Sequence, residues 1–154
     1  MVDLEALRHL PETSGAPLTV SVRDGFTTFA AWAHETHGLA RPGALLAGFA
    51  AGALGRDLVV AVEDPASATT YAATRQLGAV AESTARPEMT LRDLRLGVPD
   101  AFGHATGPVL SVLKSGDGLT VTVTNAAPAL NEADTLRLLT NLAARLEQPL
   151  RHLL

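Results

Sequence analysis

The sharpest alternation of apolar and polar positions lies between residues 24 and 64, and it spells helix, tight turn, buried helix and buried strand. Phe26, Phe29, Ala30 and Ala33 recur at helical spacing and define one apolar stripe. Asp24 is placed to cap that helix, accepting backbone N–H bonds that its first turn leaves open. Gly38 follows as a left-handed stop, with Leu39 behind it to pack back on the helix. Pro42 suits a first helical position, where a missing N–H costs nothing. Residues 44–54 are apolar or small almost all round, which predicts a helix buried on more than one side. Within it, Gly48, Ala51 and Gly52 would let a neighbouring backbone approach, and Gly55 ends it. Residues 58–62 form a continuous apolar run of strand length, which predicts a central strand covered on both faces.

The rest of the chain is arranged around that core. Residues 2–10 read as a short helix with Leu4, Leu7 and Leu10 on one side, and residues 11–17 as a linker. Residues 18–22 alternate, a strand with Leu18, Val20 and Val22 facing inward. After Asp64 and Pro65, residues 66–77 read as a loop with a helical turn and residues 78–84 as a weak strand. Thr90 and Asp93 make a capping pair for a helix carrying Leu91, Leu94, Val98, Ala101 and Phe102, which Pro99 should kink or divide. Residues 109–114 and 119–124 are two strands joined through Asp117-Gly118, a strong hairpin signal. The second strand turns Leu119, Val121 and Val123 one way and three threonines the other. A last helix runs from a cap at Asn131 to about Gln148, with Leu136, Leu139, Ala143 and Leu146 as its stripe and Pro149 closing it. The expected architecture is α/β: a single mixed-sheet sandwich with helices packed on a face.

Composition narrows the functional classes. The 154 residues fit one domain, and 47% hydrophobic with 18% charged residues describes a globular chain. A net charge of −4 argues against a nucleic-acid partner. With no cysteine there is no disulfide and no thiolate metal site. The acidic start MVDLEALRHLPE does not read as a signal peptide, and the longest apolar run, residues 45–54, is about half of what spans a bilayer. No membrane association and a cytoplasmic location are therefore expected.

Candidate chemistry is sparse. His34-Glu35-Thr36-His37 places two histidines three apart, whereas the HExxH zinc motif needs four so that both imidazoles share a helical face. No metal site is expected from it. There is no GxSxG and no glycine-rich loop ending in Lys-Ser or Lys-Thr. His104, after the helix predicted above, and His37 are the alternative general bases, since imidazole titrates near neutrality. Arg92 and Arg95 fall about one turn apart on the solvated side of that same helix, where they are candidates for partner binding. Trp32, the only tryptophan, lies off the main stripe of its helix and marks either edge packing or an interface.

In the order and spacing of these segments, the chain resembles the C-terminal lobe of the condensation domains of nonribosomal peptide synthetases, in the chloramphenicol-acetyltransferase-like superfamily. GALLAGFAAGAL is similar to the alanine-rich helix of those lobes, and DLVVAVED to their valine-rich strand. LGAVAEST resembles the glycine-led strand without its Phe-Val-Asn-Thr core. MTLRDLRLGVPDAFGHA is similar to their Thr-Phe-x-x-Leu-Leu helix, and the stretch from SGDGLTVTVT to the end resembles their closing strand and helix. The resemblance covers residues 18–154 and leaves residues 1–17 as an N-terminal helix and linker.

The family's His-His-x-x-x-Asp-Gly motif belongs to the other lobe, and this chain has no adjacent histidine pair. The resemblance thus implies a non-catalytic half domain without a cofactor. It would act as a platform or docking module for an adjacent adenylation or carrier domain, or self-associate, with Leu4, Leu7, Trp32, Arg92 and Arg95 as contact residues. The alternative is an acyltransferase completed by dimerisation or by a separate N-terminal lobe, with His104 or His37 as base. A third reading is a binding protein for a small molecule or a carrier arm.

Overall fold

The structure, a computed structural model, describes residues 17–37, 42–98, 105 and 107–152. Seven strands form one mixed sheet: β1 (Leu18–Arg23), β2 (Leu58–Glu63), β3 (Ala68–Ala73), β4 (Ala81–Glu82), β5 (Met89–Leu94), β6 (Val109–Ser115) and β7 (Gly118–Thr124). Their order is β1-β7-β6-β5-β2-β3-β4. The middle of the sheet is parallel, because β5 pairs with β2 on one side and β6 on the other in the same direction. The flanking pairs are antiparallel. Helices α1 (Phe26–His37), α2 (Pro42–Leu54) and α3 (Glu132–Glu147) cover one face, as the apolar pattern predicts.

Alternation along the strands fixes which face that is. Leu119, Val121 and Val123 of β7 stand opposite Val22, Val20 and Leu18 of β1, and all join the core under the helices. Leu110 and Val112 of β6, Met89 and Leu91 of β5, and Leu58, Val60 and Val62 of β2 continue that layer. The predicted hairpin is present, but its two-residue turn is centred one position earlier, on Gly116-Asp117. Gly116 sits at φ +58°, the sign that the first central position of a type II′ turn requires and that a side chain resists.

Several expectations are corrected. Residues 89–94 are the strand β5, not a helix; Thr90 and Asp93 are buried strand residues, not caps. Thr90-Leu91-Arg92-Asp93-Leu94 mimics a capped amphipathic helix because β5 lies mid-sheet and buries side chains on both faces. Pro99, Ala101 and Phe102 lie outside the described residues, as do Gly38 and Leu39. Within residues 66–77 the chain forms β3, whose Tyr71 and Ala73 are buried, and not a loop. Residues 78–84 hold part of a 3-10 turn (Leu77–Ala79) and only the two-residue β4. The strand at residues 58–62 is not covered on both faces: β2 alternates buried and half-buried residues. In α3, Leu138 and Leu142 face inward and Leu136 is 47% exposed, so the inward stripe is rotated from the predicted one.

Helix α2 is buried nearly all round, with ten of its thirteen residues in the core. The small residues on it admit side chains more than backbone: Gly48 meets Leu77 and Val80, and Gly52 meets the Arg145 guanidinium. That guanidinium belongs to a clasp. Arg137, Asn141 and Arg145, one turn apart on α3, donate to the carbonyls of Leu54, Ala53 and Gly52 at 2.9, 3.0 and 3.2 Å. They add acceptor partners to the last turn of α2, where the Gly52 carbonyl also accepts from the Gly55 amide at 3.2 Å, and the two cations face its negative dipole end. Burial lowers the Arg145 pKa. Close approach is needed at Gly25 instead: its N–H donates to the Leu146 carbonyl at 3.0 Å, and a Cβ there would collide with the Glu147 carbonyl.

Candidate functional site

The N-terminus of α1 is fastened to the sheet by a chain of charged and hydroxyl groups at the carboxyl ends of β5 and β6. Asp24 caps α1 as predicted, its Oδ1 accepting from the Phe26 and Thr27 amides at 3.0 and 2.9 Å. Its Oδ2 accepts from the Thr27 hydroxyl at 2.6 Å and from Lys114 Nζ at 2.7 Å. The Thr27 hydroxyl in turn accepts from Arg95 Nη1 at 3.1 Å. Arg95 grips Asp93 with Nε and Nη2 at 2.8 and 2.9 Å, and its guanidinium lies 4.7 Å from the centre of the Phe26 ring. Both side chains of that pair are about nine-tenths buried.

Burial alone would raise the Asp24 carboxyl pKa, but the Lys114 ammonium and the Thr27 hydroxyl and amide outweigh it and hold it at about 2. A carboxyl lowered on folding stabilises the native state above its unfolded pKa of ~3.9, and that contribution fades as the pH falls towards 2. Asp24→Asn, which keeps the cap, should therefore cost about 1–2 kcal/mol at neutral pH. Urea midpoints for the two proteins should converge between about pH 4 and pH 2. A gap that persists unchanged at pH 2 would show that the ion pair is not its source.

Beside this chain a cleft of about 360 Å³ opens at the carboxyl ends of the parallel strands β2 and β5. Its walls are Pro42 and Gly43 at the start of α2, Val62 and Tyr71 from the core, the 64–67 turn, and the Asp93–Arg95 pair with Leu96. The turn is held by Asp64 Oδ1, which accepts from the Ala66 and Ser67 amides at 2.7 and 2.8 Å. Carboxyl ends of parallel strands are where α/β sheets place ligands.

The sheet face away from the helices has no helix over it among the described residues. Its centre is apolar and partly buried, with Val59, Ala61, Leu94, Val109 and Leu113, and it carries one ion pair, Arg92 Nε to Glu63 at 3.2 Å. Towards β1 it becomes a hydroxyl ladder, Thr19 to Thr122 at 3.0 Å and Ser21 to Thr120 at 3.3 Å.

The predicted site residues are scattered over these surfaces. Arg92 and Arg95 are not on a solvated helix face: they project to opposite faces of the sheet end, with side chains 14% and 7% exposed and paired to acids. Trp32 is 41% exposed at the edge of α1, its ring 6.0 Å from Phe29, where it lines an apolar groove with Pro149 and Leu150. His34 is exposed on α1. Leu4, Leu7, His104 and the side chain of His37 lie outside what the structure describes. Among the described residues no three His, Asp or Glu side chains are grouped to hold a metal ion, and no helix is long and apolar enough to cross a membrane. The sequence reading missed Asp93, Lys114 and Tyr71. The Asp93-x-Arg95 spacing is the signal that, on a strand, puts both side chains on one face.

No protein-family model matches the chain, and no curated protein matches its sequence. Solved structures do share its fold. The cubic core of a pyruvate dehydrogenase multienzyme complex is similar with a TM-score of 0.57 at 11% identity, over 90% of this chain and 83% of that one. The epimerization domain from the third module of tyrocidine synthetase B is similar at 0.55 and 11% identity, over 89% of this chain and 48% of that one. The present chain thus spans about half of that domain. A chloramphenicol acetyltransferase is similar at 0.54 and 10% identity, over 92% of each chain. Seven strands in one mixed sheet, helices on one face and these neighbours together place the chain in the chloramphenicol-acetyltransferase-like fold.

Proposed function

We propose that the chain is a non-catalytic, condensation-like half domain of a nonribosomal peptide synthetase, a platform on which an adjacent adenylation or carrier domain docks. The sheet face away from the helices carries this reading. An apolar centre ringed by polar strand residues is the make-up of a surface that meets a partner. The carboxylates of Asp24 and Asp93 near the cleft are each paired to a cation, Lys114 and Arg95, which suits a scaffold. The half-length match to the epimerization domain fits a single lobe.

The test has two arms. The purified chain, given acyl-pantetheine donors and amine acceptors, is expected to show no turnover; turnover by the chain alone overturns the proposal. Binding to purified adenylation and carrier domains is then measured by calorimetry. A partner that binds wild type should bind Leu113→Glu at least tenfold more weakly, because the added carboxylate sits in the apolar centre of the face. Retained binding in that variant sinks this face as the docking surface.

A second reading follows from length. The chain corresponds to 92% of a chloramphenicol acetyltransferase, a whole chain and not half of one. On that reading, self-association or a separate N-terminal lobe completes an acyltransferase, with His104 or His37 as base. Turnover that appears only on assembly, and disappears with His104→Ala or His37→Ala, is its signature.

A further inference from the structure

We propose that the cleft at the carboxyl ends of β2 and β5 binds a small uncharged molecule with an apolar body and a carbonyl group, an amide or ester, that Arg95 hydrogen-bonds. The site lies on the helix side of the sheet and is independent of the docking face proposed above.

Arg95 supplies the anchor. A guanidinium has five N–H donors. Those of Arg95 reach Asp93 twice and Thr27 once, which leaves two without a partner among the described residues. Its side chain is only 7% exposed and lines the cleft. Asp93 and Thr27 fix two edges of the guanidinium and Phe26 lies against one face, so its position is set before any ligand arrives. Each nitrogen of the guanidinium already makes one bond, and a carbonyl oxygen entering the cleft gives the spare N–H groups an acceptor.

Charge selects the class of ligand. Among the described residues, the ionic groups that line the cleft are Arg95, Asp93 and Asp64. Asp93 already neutralises Arg95, and Asp64 leaves the site with an excess negative charge that the positive end of α2 only partly offsets. An added carboxylate or phosphate is repelled there, and a cation meets a guanidinium. A neutral acceptor avoids both penalties. Most of the remaining wall, Pro42, Val62, Pro65, Tyr71 and Leu96, is apolar, with Ser67 and Thr69 beside it, and offers an uncharged body a surface to pack against. The volume of about 360 Å³ lies within the range of small-molecule sites.

The experiment titrates the full isotope-labelled chain with N-acetyl-leucine methylamide and follows backbone amide signals. Saturable shifts confined to Gly43, Ser67, Thr69, Tyr71, Asp93 and Arg95 are expected. Inorganic phosphate and isobutylamine, run in parallel, should give none. Ala66 is exposed on the rim, so Ala66→Trp should block entry and weaken binding at least tenfold while the rest of the spectrum stays native. Non-saturating shifts, shifts centred elsewhere, binding unchanged in Ala66→Trp, or saturation by phosphate at the same residues would each overturn the proposal.

Discussion

Phe49→Ala should cost about 4 kcal/mol of unfolding free energy, the largest loss expected from a single side chain in this protein. Phe49 is 1% exposed on α2, and its ring lies 6.0 Å from both Phe26 and Phe29 of α1, edge-on to the first. Three aromatic rings at the junction of two helices leave a cavity that smaller neighbours cannot fill when the middle one is removed. Aromatic pair geometry adds to the lost burial. Phe26 also backs the Arg95 guanidinium, so the hole loosens the polar chain at the end of the sheet. Urea denaturation followed by circular dichroism measures the loss. Phe49→Leu, which keeps most of the volume, should cost about 1–1.5 kcal/mol. Nearly equal costs for the two variants would mean that the rings do not act as a cluster.

Asp93→Ala should cost about 3–4 kcal/mol, because it strands a guanidinium that is nine-tenths buried. The sign of a second substitution tests the cause. In Asp93→Leu with Arg95→Met both charges are gone and apolar volume replaces them, so the double variant should be more stable than Asp93→Ala despite one more change. If the double variant is the less stable of the two, the pair contributes net attraction and the desolvation argument fails. Neither experiment touches the sheet face away from the helices, so docking assays on the same proteins separate folding from binding.

The sequence was legible where pattern and chemistry agreed. Asp24 and Asn131 are caps because each stands before a helical stripe, and both bind the amide predicted for a cap. The hairpin between β6 and β7 is legible because alternation and a turn pair flank each other. Strand β5 was misread because a central strand has no exposed face, so period two is lost and i, i+3 coincidences take its place. Strand β3 was missed for a related reason. Its residues, ATTYAA, are small and hydroxylated, and only its pairing with β2 makes them a strand. The candidate site was least legible. Arg95 and Asp93 look like surface charges until β5 carries them under α1, and no local signal encodes that burial.

The clasp between α3 and the end of α2 joins residues 83, 88 and 93 positions apart in sequence. During synthesis, therefore, the alanine-rich helix emerges long before the side chains that close its final turn. Until the last helix leaves the ribosome, that end has only the Gly55 and Arg56 amides and water to satisfy it, and its apolar sides stand open. Non-local closure of this kind slows folding and prolongs exposure of sticky surface. The nascent chain should thus depend on chaperone protection up to about the length at which Arg145 becomes available, and shed that dependence as the clasp forms.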